Sequence, residues 1–230
     1  MKTHKLHTLI FILLALAIPT SAQTFDIGAS VIRSSNFDPS PAKGDGGSTF
    51  PGFYYKASFD LPKGFEAHAK LRASKTPQLQ TQFTTDEGED KPAAELRINP
   101  EARYKIRRFF VGAGFDYSKQ FFTDDDPDEE YSRSYNVNPT LSAGVRPTER
   151  QEASFTYLFR DRYTFLYGGR ANYSYAYPIS EKVSVVFGVE ANHYKFRETN
   201  REGYIDPYYE RDTVFLFDIG IRFGRSKHTY

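Results

Sequence analysis

The chain has 230 residues, with 30 Lys and Arg against 29 Asp and Glu. It has no cysteine, which excludes a disulfide framework and a lipid-modified cysteine, and its balanced charge leaves no global basic field to draw nucleic acid. Phe and Tyr number 21 and 17 while Trp is absent, so aromatic contacts must be built from those two residue types.

Residues 1–22 show Lys2 and Lys5, an apolar stretch from Leu9 to Ile18, and then Pro19, Thr20, Ser21 and Ala22. These are the three zones of a secretory signal peptide, with cleavage expected after Ala22 and residues 23–230 left as one domain. The apolar stretch is about ten residues, whereas a spanning helix needs roughly twenty. No other segment is a candidate transmembrane helix.

Beyond the leader a two-residue alternation recurs about ten times. Successive side chains on a strand point to opposite faces, so each copy reads as a strand with one apolar face. The first runs near Thr24 to Arg33 with Phe25, Ile27, Ala29 and Val31 on one face, and Ser34 to Ser48 follows as a polar loop. The second and third place Phe53, Tyr55, Ala57 and Phe59, then Phe65, Ala67, Ala69 and Leu71, on the apolar face. Pro62, Lys63 and Gly64 form a short turn between them, with Gly in the left-handed position.

A long loop, about Lys75 to Pro92, leads to the fourth strand, where Leu96, Ile98, Pro100, Ala102, Tyr104 and Ile106 alternate with charged residues. Proline at position 100 removes a ladder donor, so a bulge or weakened pairing is expected there. Arg107 and Arg108 turn the chain into the fifth strand, Phe109 to Phe121. That register sets Gly112 and Gly114 opposite Arg103 and Glu101, leaving room for the long side chains.

After the acidic stretch Phe122 to Ser134 comes the sixth strand, with Tyr135, Val137, Leu141, Ala143 and Val145 on the apolar face, closed by Pro147 to Gln151. The seventh shows Ala153, Phe155, Tyr157 and Phe159, a loop lies near Asp161 to Tyr163, and the eighth carries Tyr167, Gly169, Ala171, Tyr173, Tyr175 and Tyr177. Pro178 to Lys182 turns into the ninth, with Val183, Val185, Phe187, Val189 and Ala191. A last long loop is expected from Phe196 to Arg211, before a tenth strand in which Phe215, Phe217, Ile219, Ile221 and Phe223 share one face and Leu216, Asp218, Gly220 and Arg222 the other.

Connections thus alternate long and short, with four of the five outer loops expected at thirteen residues or more. Roughly nine to eleven residues per strand suffice to cross the apolar band of a bilayer, and an even strand count returns both ends to the periplasm. The strongly negative mean hydropathy fits, because only every second residue need be apolar. The expected fold is all-β: a transmembrane antiparallel up-and-down β-barrel of about ten strands, apolar outside and charged inside.

The segment Phe215, Phe217, Ile219, Gly220, Ile221 and Phe223 resembles the C-terminal signal by which outer-membrane β-barrels are recognised for insertion. With the leader and the strand pattern, the mature chain resembles the small outer-membrane β-barrel proteins. The resemblance implies a place in the bacterial outer membrane, with the barrel-insertion machinery, outer-membrane lipid and lipopolysaccharide as partners. The aromatic is usually terminal in that superfamily, whereas Gly224 to Tyr230 extend past it here; Phe223 is preferred over Tyr230 because Arg225 and Lys227 break the apolar face.

The inward positions collect Asp26, Asp60, Glu66, Glu95, Glu101, Asp116, Glu190 and Asp218 with Lys56, Lys70, Arg72, Arg97, Arg103, Lys105, Arg146, Arg160, Arg170 and Arg222. In a narrow ten-stranded interior such charges are expected to pair into a network that fills the lumen; the alternative is a narrow, mildly anion-favouring pore. No catalytic, metal or cofactor site is predicted. His68 points into the lumen near the periplasmic end. His193 lies on the lipid face near the outer rim, with Glu198, Asp206 and Asp212 in the adjoining loop, where a lipopolysaccharide-modifying or hydrolytic enzyme is the third reading. Acidic runs at Asp86 to Asp90 and Asp124 to Glu130 lack the spacing of an EF-hand loop and are expected to be solvated. Tyr131, Tyr204, Tyr208 and Tyr209 offer contact area for an extracellular ligand. The expected function is therefore structural or surface-interacting, with passive solute passage as the alternative.

Overall fold

The computed structural model describes residues 24–37, 48–74, 94–121, 135–159, 165–199 and 205–224; the expected signal peptide lies outside them. Ten antiparallel strands close into a barrel. In chain order they are β1 (Thr24–Phe37), β2 (Ser48–Asp60), β3 (Phe65–Ser74), β4 (Ala94–Ile106), β5 (Phe109–Phe121), β6 (Tyr135–Thr148), β7 (Gln151–Leu158), β8 (Phe165–Pro178), β9 (Val183–Thr199) and β10 (Ile205–Phe223). Each pairs with its neighbours in sequence, and β10 closes on β1 from Phe25↔Phe223 to Phe37↔Arg211. Followed once round the barrel, the register returns to β1 displaced by about a dozen residues, the stagger that tilts strands roughly 40° from the axis.

Four tight connections share one end with Thr24 and Phe223. Residues 61–64 hold a 3-10 turn at Pro62–Gly64, with Lys63 at φ 61° and Gly64 at φ 80°. Arg107, at φ 57°, begins the two-residue turn into β5, and residues 149–150 and 179–182 make the others. At the opposite end the strands run further than their alternation. β1 continues to Phe37, and β9 and β10 reach Thr199 and Ile205, shortening the expected loop from Phe196 to Arg211 to residues 200–204. Of the long connections expected, only 75–93 and 122–134 keep thirteen residues or more. The physical reason is that ladder hydrogen bonds persist where no hydrocarbon requires an apolar face, so pairing outlasts the pattern that reveals it.

At Pro100 the register runs on unshifted from Ile98↔Tyr117 to Glu101↔Gly114, so no bulge forms, but Asn99 and Pro100 drop out of the pairing with β5. Ala69↔Pro100 persists toward β3. Pro100 has no N–H to give β5, which weakens the pairing on that side alone.

Burial is inverted relative to a soluble domain. Arg72 and Arg97 are the largest fully buried side chains, while Phe109, Leu141, Phe155, Phe217 and Ile219 are each more than half, or half, exposed on the outer wall. At the end with the tight turns the rings of Phe25 and Phe223 stack at 4.9 Å across the closing seam, and Phe65 and Tyr104 meet at 5.0 Å. Interfacial aromatics of this kind belong to a girdle, built here without Trp.

Candidate functional site

The lumen is the candidate site, and the alternation fills it in layers. Toward the end with the longer connections, Ile32 of β1, Leu158 of β7, Tyr194 of β9, and Val214 and Leu216 of β10 form a buried apolar cluster, with Phe50 of β2 packed against it. Parity alone turns Leu216 inward, but nothing in the strand pattern marks this layer. Its members alternate correctly, yet they are apolar on the face expected to be polar, and only closure of the barrel brings them together.

Below this layer lies the first charge cluster. Arg97 stacks its guanidinium over Tyr194, 5.5 Å from the ring centroid, and donates to Asp116 at 3.0 Å. Asp116 also accepts from Arg170, which reaches Asn192 at 3.0 Å and Glu190 at 3.4 Å. Glu190 in turn pairs with Lys70 at 3.0 Å and Arg72 at 3.2 Å, and both bases also hold Asp218, which accepts from the Ser30 hydroxyl at 2.6 Å.

Toward the tight turns a second cluster centres on Glu66 and Glu152. Arg146 makes a two-pronged contact with Glu66 at 2.8 Å for each prong and donates from Nε to Glu152 at 2.8 Å. Lys105 lies 3.0 Å from Glu66. Arg103 bridges Glu101 and Glu152 at 2.8 and 2.9 Å, and Glu101 also accepts from Ser142. Gly112 lacks the Cβ that would collide with Glu101, Ser142 and Arg103, so it makes that room; Gly114 instead faces the Pro100 backbone. Phe110 is buried between Arg103 and Arg146, whose guanidinium carbons lie 4.2 and 5.2 Å from its ring. Arg222 forms a separate two-pronged pair with Asp26 at 2.7 and 2.8 Å.

The lumen charges described here thus fall into three groups; Asp26, Lys56 and Lys105 take their places as the alternation expects, Lys56 lying 3.8 Å from Glu152, and Glu152 is the member that the alternation did not single out. Arg97 and Arg103 belong to different groups. Between the groups is a cavity of about 90 Å³, enough for a few water molecules, with Ser154, Thr156, Asn172 and Ser174 on its uncharged wall.

One arrangement is set by cross-strand register. Ser58 Oγ is 3.0 Å from His68 Nδ1, and His68 Nε2 is 3.0 Å from Glu66. The cross-strand pair Ser58↔His68 with Glu66 two residues away was its only signal. Its composition is that of a hydrolytic triad, but the carboxylate is already neutralised by Arg146 and Lys105. The flanking backbone N–H groups belong to ladders rather than to an oxyanion hole. His193 sits exposed on the outer wall with Nδ1 3.0 Å from Thr213 Oγ1; the side chains of Glu198, Asp206 and Asp212 lie outside the described residues. The acidic runs, Tyr131 and Tyr204 lie outside the described residues, and Tyr208 and Tyr209 stand in β10 rather than in a loop, their side chains likewise not described. Among the described residues no group of His, Asp or Glu has the arrangement of a metal site.

A closed up-and-down barrel with a continuous apolar exterior and a paired ionic interior is the architecture of a bacterial outer-membrane β-barrel, because only closure satisfies every backbone group in lipid. No protein-family profile matches the chain, and no curated protein sequence matches it. Among solved structures it is similar to Neisserial surface protein A, with 9% identity and a TM-score of 0.38 over 86% of this chain and 96% of that one. It is similar also to Ail, the attachment invasion locus protein of Yersinia pestis, with 8% identity and a TM-score of 0.34 over 88% and 99%. The KdgM porin shows 12% identity and a TM-score of 0.37 over 85% and 98%. What defines the class is the chain's own register and inverted burial.

Proposed function

We propose that this outer-membrane barrel serves a structural or surface-interaction role and does not conduct solutes at rest. The observation that carries this reading is the filling of the lumen at three levels: the apolar layer of Ile32, Leu158, Tyr194, Val214 and Leu216, the two ionic clusters, and Phe110 clamped between two arginines. An ion entering from the side of the longer connections meets apolar side chains first and then bases and acids already committed to each other. Desolvation at the first level and the mutual pairing of the described charges at the second both oppose passage.

The uncharged wall of Ser154, Thr156, Asn172 and Ser174 supports a second reading, a narrow passive channel closed by the apolar layer. Planar-bilayer recordings separate the two. The wild-type barrel gives no steady conductance, and the combined substitutions Leu158→Ala, Leu216→Ala and Phe110→Ala produce one. A wild type that conducts steadily, with a conductance these substitutions leave unchanged, overturns the closed-lumen proposal.

A further inference from the structure

The cavity between the ionic groups has two walls that differ in how far their hydrogen bonds are spent. On β7 and β8 the inward side chains Ser154, Thr156, Asn172 and Ser174 stand together, with Ser154 and Asn172 directly opposed across the ladder. Among the described residues none of these four side chains hydrogen-bonds to another protein group. Half-way round the barrel, the register sets Lys56, Lys70 and Asn99 in one row across β2, β3 and β4. Lys70 is held by Glu190 and Asp218 at 3.0 and 3.1 Å. The Lys56 ammonium reaches Glu152 only at 3.8 Å, beyond hydrogen-bond distance, and Asn99 Nδ2 is buried without a partner. Six polar groups with unspent hydrogen-bonding capacity thus converge on one space, whereas buried polar groups are as a rule paired.

We propose that this cavity is a binding site for a short neutral polyol of about three or four carbons. Charge decides against an ion. Asp26 is taken by Arg222, Glu101 and Glu152 by Arg103, and Glu190 and Asp218 by Arg72. A cation or anion in the cavity has to break one of these buried pairs and strand the partner. A hydroxyl both donates and accepts, so a chain of hydroxyls can accept from Lys56 and Asn99 on one wall and exchange hydrogen bonds with Ser154, Thr156, Asn172 and Ser174 on the other, leaving every ion pair intact. Size agrees: at about 10 to 15 Å³ for each water-sized position, 90 Å³ holds on the order of six to eight non-hydrogen atoms, the range of glycerol and erythritol. The buried side chains of Tyr54 and Val186 complete the lining and give apolar surface for the carbon chain, which a cluster of water molecules cannot use.

The inference concerns what the cavity holds and not whether the lumen conducts. Ligand present during folding loads the site in a closed lumen and in an open one alike, so occupancy and conductance fail separately. The test folds the barrel into detergent micelles with radiolabelled erythritol, all competitors being added before folding, and measures bound label by equilibrium dialysis. The wild type binds the label saturably, a single molecule per barrel, and unlabelled erythritol or glycerol displaces it. The triple variant Thr156→Val, Asn172→Leu, Ser174→Ala keeps the shape of the wall without its hydrogen bonds and weakens binding roughly tenfold or more, the scale of two lost hydrogen bonds. Thr156→Val alone weakens it about threefold and carries the test if the triple variant does not fold. Thr140→Val, which removes a buried hydroxyl outside the cavity lining, leaves it unchanged. No saturable binding, binding that neither cavity variant weakens, or displacement of the label by chloride or glycine at lower concentration than by unlabelled erythritol would each overturn the assignment. Heat-modifiable mobility on gels confirms that each variant is folded.

Discussion

Replacing Glu66 by alanine probes the ionic filling most directly. Glu66 is 1% exposed and holds both guanidinium prongs of Arg146 at 2.8 Å, the Lys105 ammonium at 3.0 Å and His68 at 3.0 Å. Removing one partner of a buried pair costs about 3 to 5 kcal/mol, since the remaining charge stays desolvated. Arg146 keeps Glu152 through its Nε at 2.8 Å, and the shortened side chain admits water, so the expected loss lies near the lower bound, about 3 kcal/mol. Glu66→Gln preserves the shape and one acceptor and should cost roughly half as much. With no Trp in the chain, unfolding is followed by circular dichroism, using guanidinium chloride and phosphatidylcholine vesicles. Glu66→Ala with Arg146→Ala should cost at least about 1 kcal/mol less than the two single changes added together, because neither charge is then left alone. A Glu66→Ala barrel within about 0.5 kcal/mol of wild type would show that Glu66 is not coupled to buried charges, since uncoupled surface changes have effects of that size.

The outer wall and the orientation are open to equally direct tests. Phe217→Arg, at a position 50% exposed on the lipid face, should cost roughly 2 to 4 kcal/mol in the same vesicle assay, whereas Ser174→Arg, beside the lumen cavity, is spared the lipid penalty; equal costs would sink the parity assignment. On intact cells a cysteine at Asp125 should react with an impermeant maleimide while cysteines at Lys63 and Glu149 stay protected, and the reverse pattern would turn the barrel over.

The barrel itself was legible in the sequence because alternation is a local property. A strand with Phe215, Phe217, Ile219 and Ile221 on one side and Asp218 and Arg222 on the other needs no knowledge of its partners to show which face meets lipid. The tight turns were legible for a similar reason, since Pro62 to Gly64 and Arg107 to Arg108 fit the spacing that antiparallel register demands. Alternation could not show where pairing stops, because the ladder between β9 and β10 runs on past the apolar band to Thr199 and Ile205. Nor could it say what the inward residues do to one another. Arg146 grips Glu66 across 80 positions of sequence and Arg222 grips Asp26 across 196, pairings that depend on strand tilt and on closure of β10 against β1. Leu216 is the sharpest case: by parity it was merely one residue removed from lipid, but the closed barrel puts it at 0% exposure against Ile32, Leu158, Tyr194 and Val214. Alternation decides which way a side chain points, and only the closed cylinder decides what it meets there, because residues far apart in sequence share a lumen level only when stagger and strand number are fixed together.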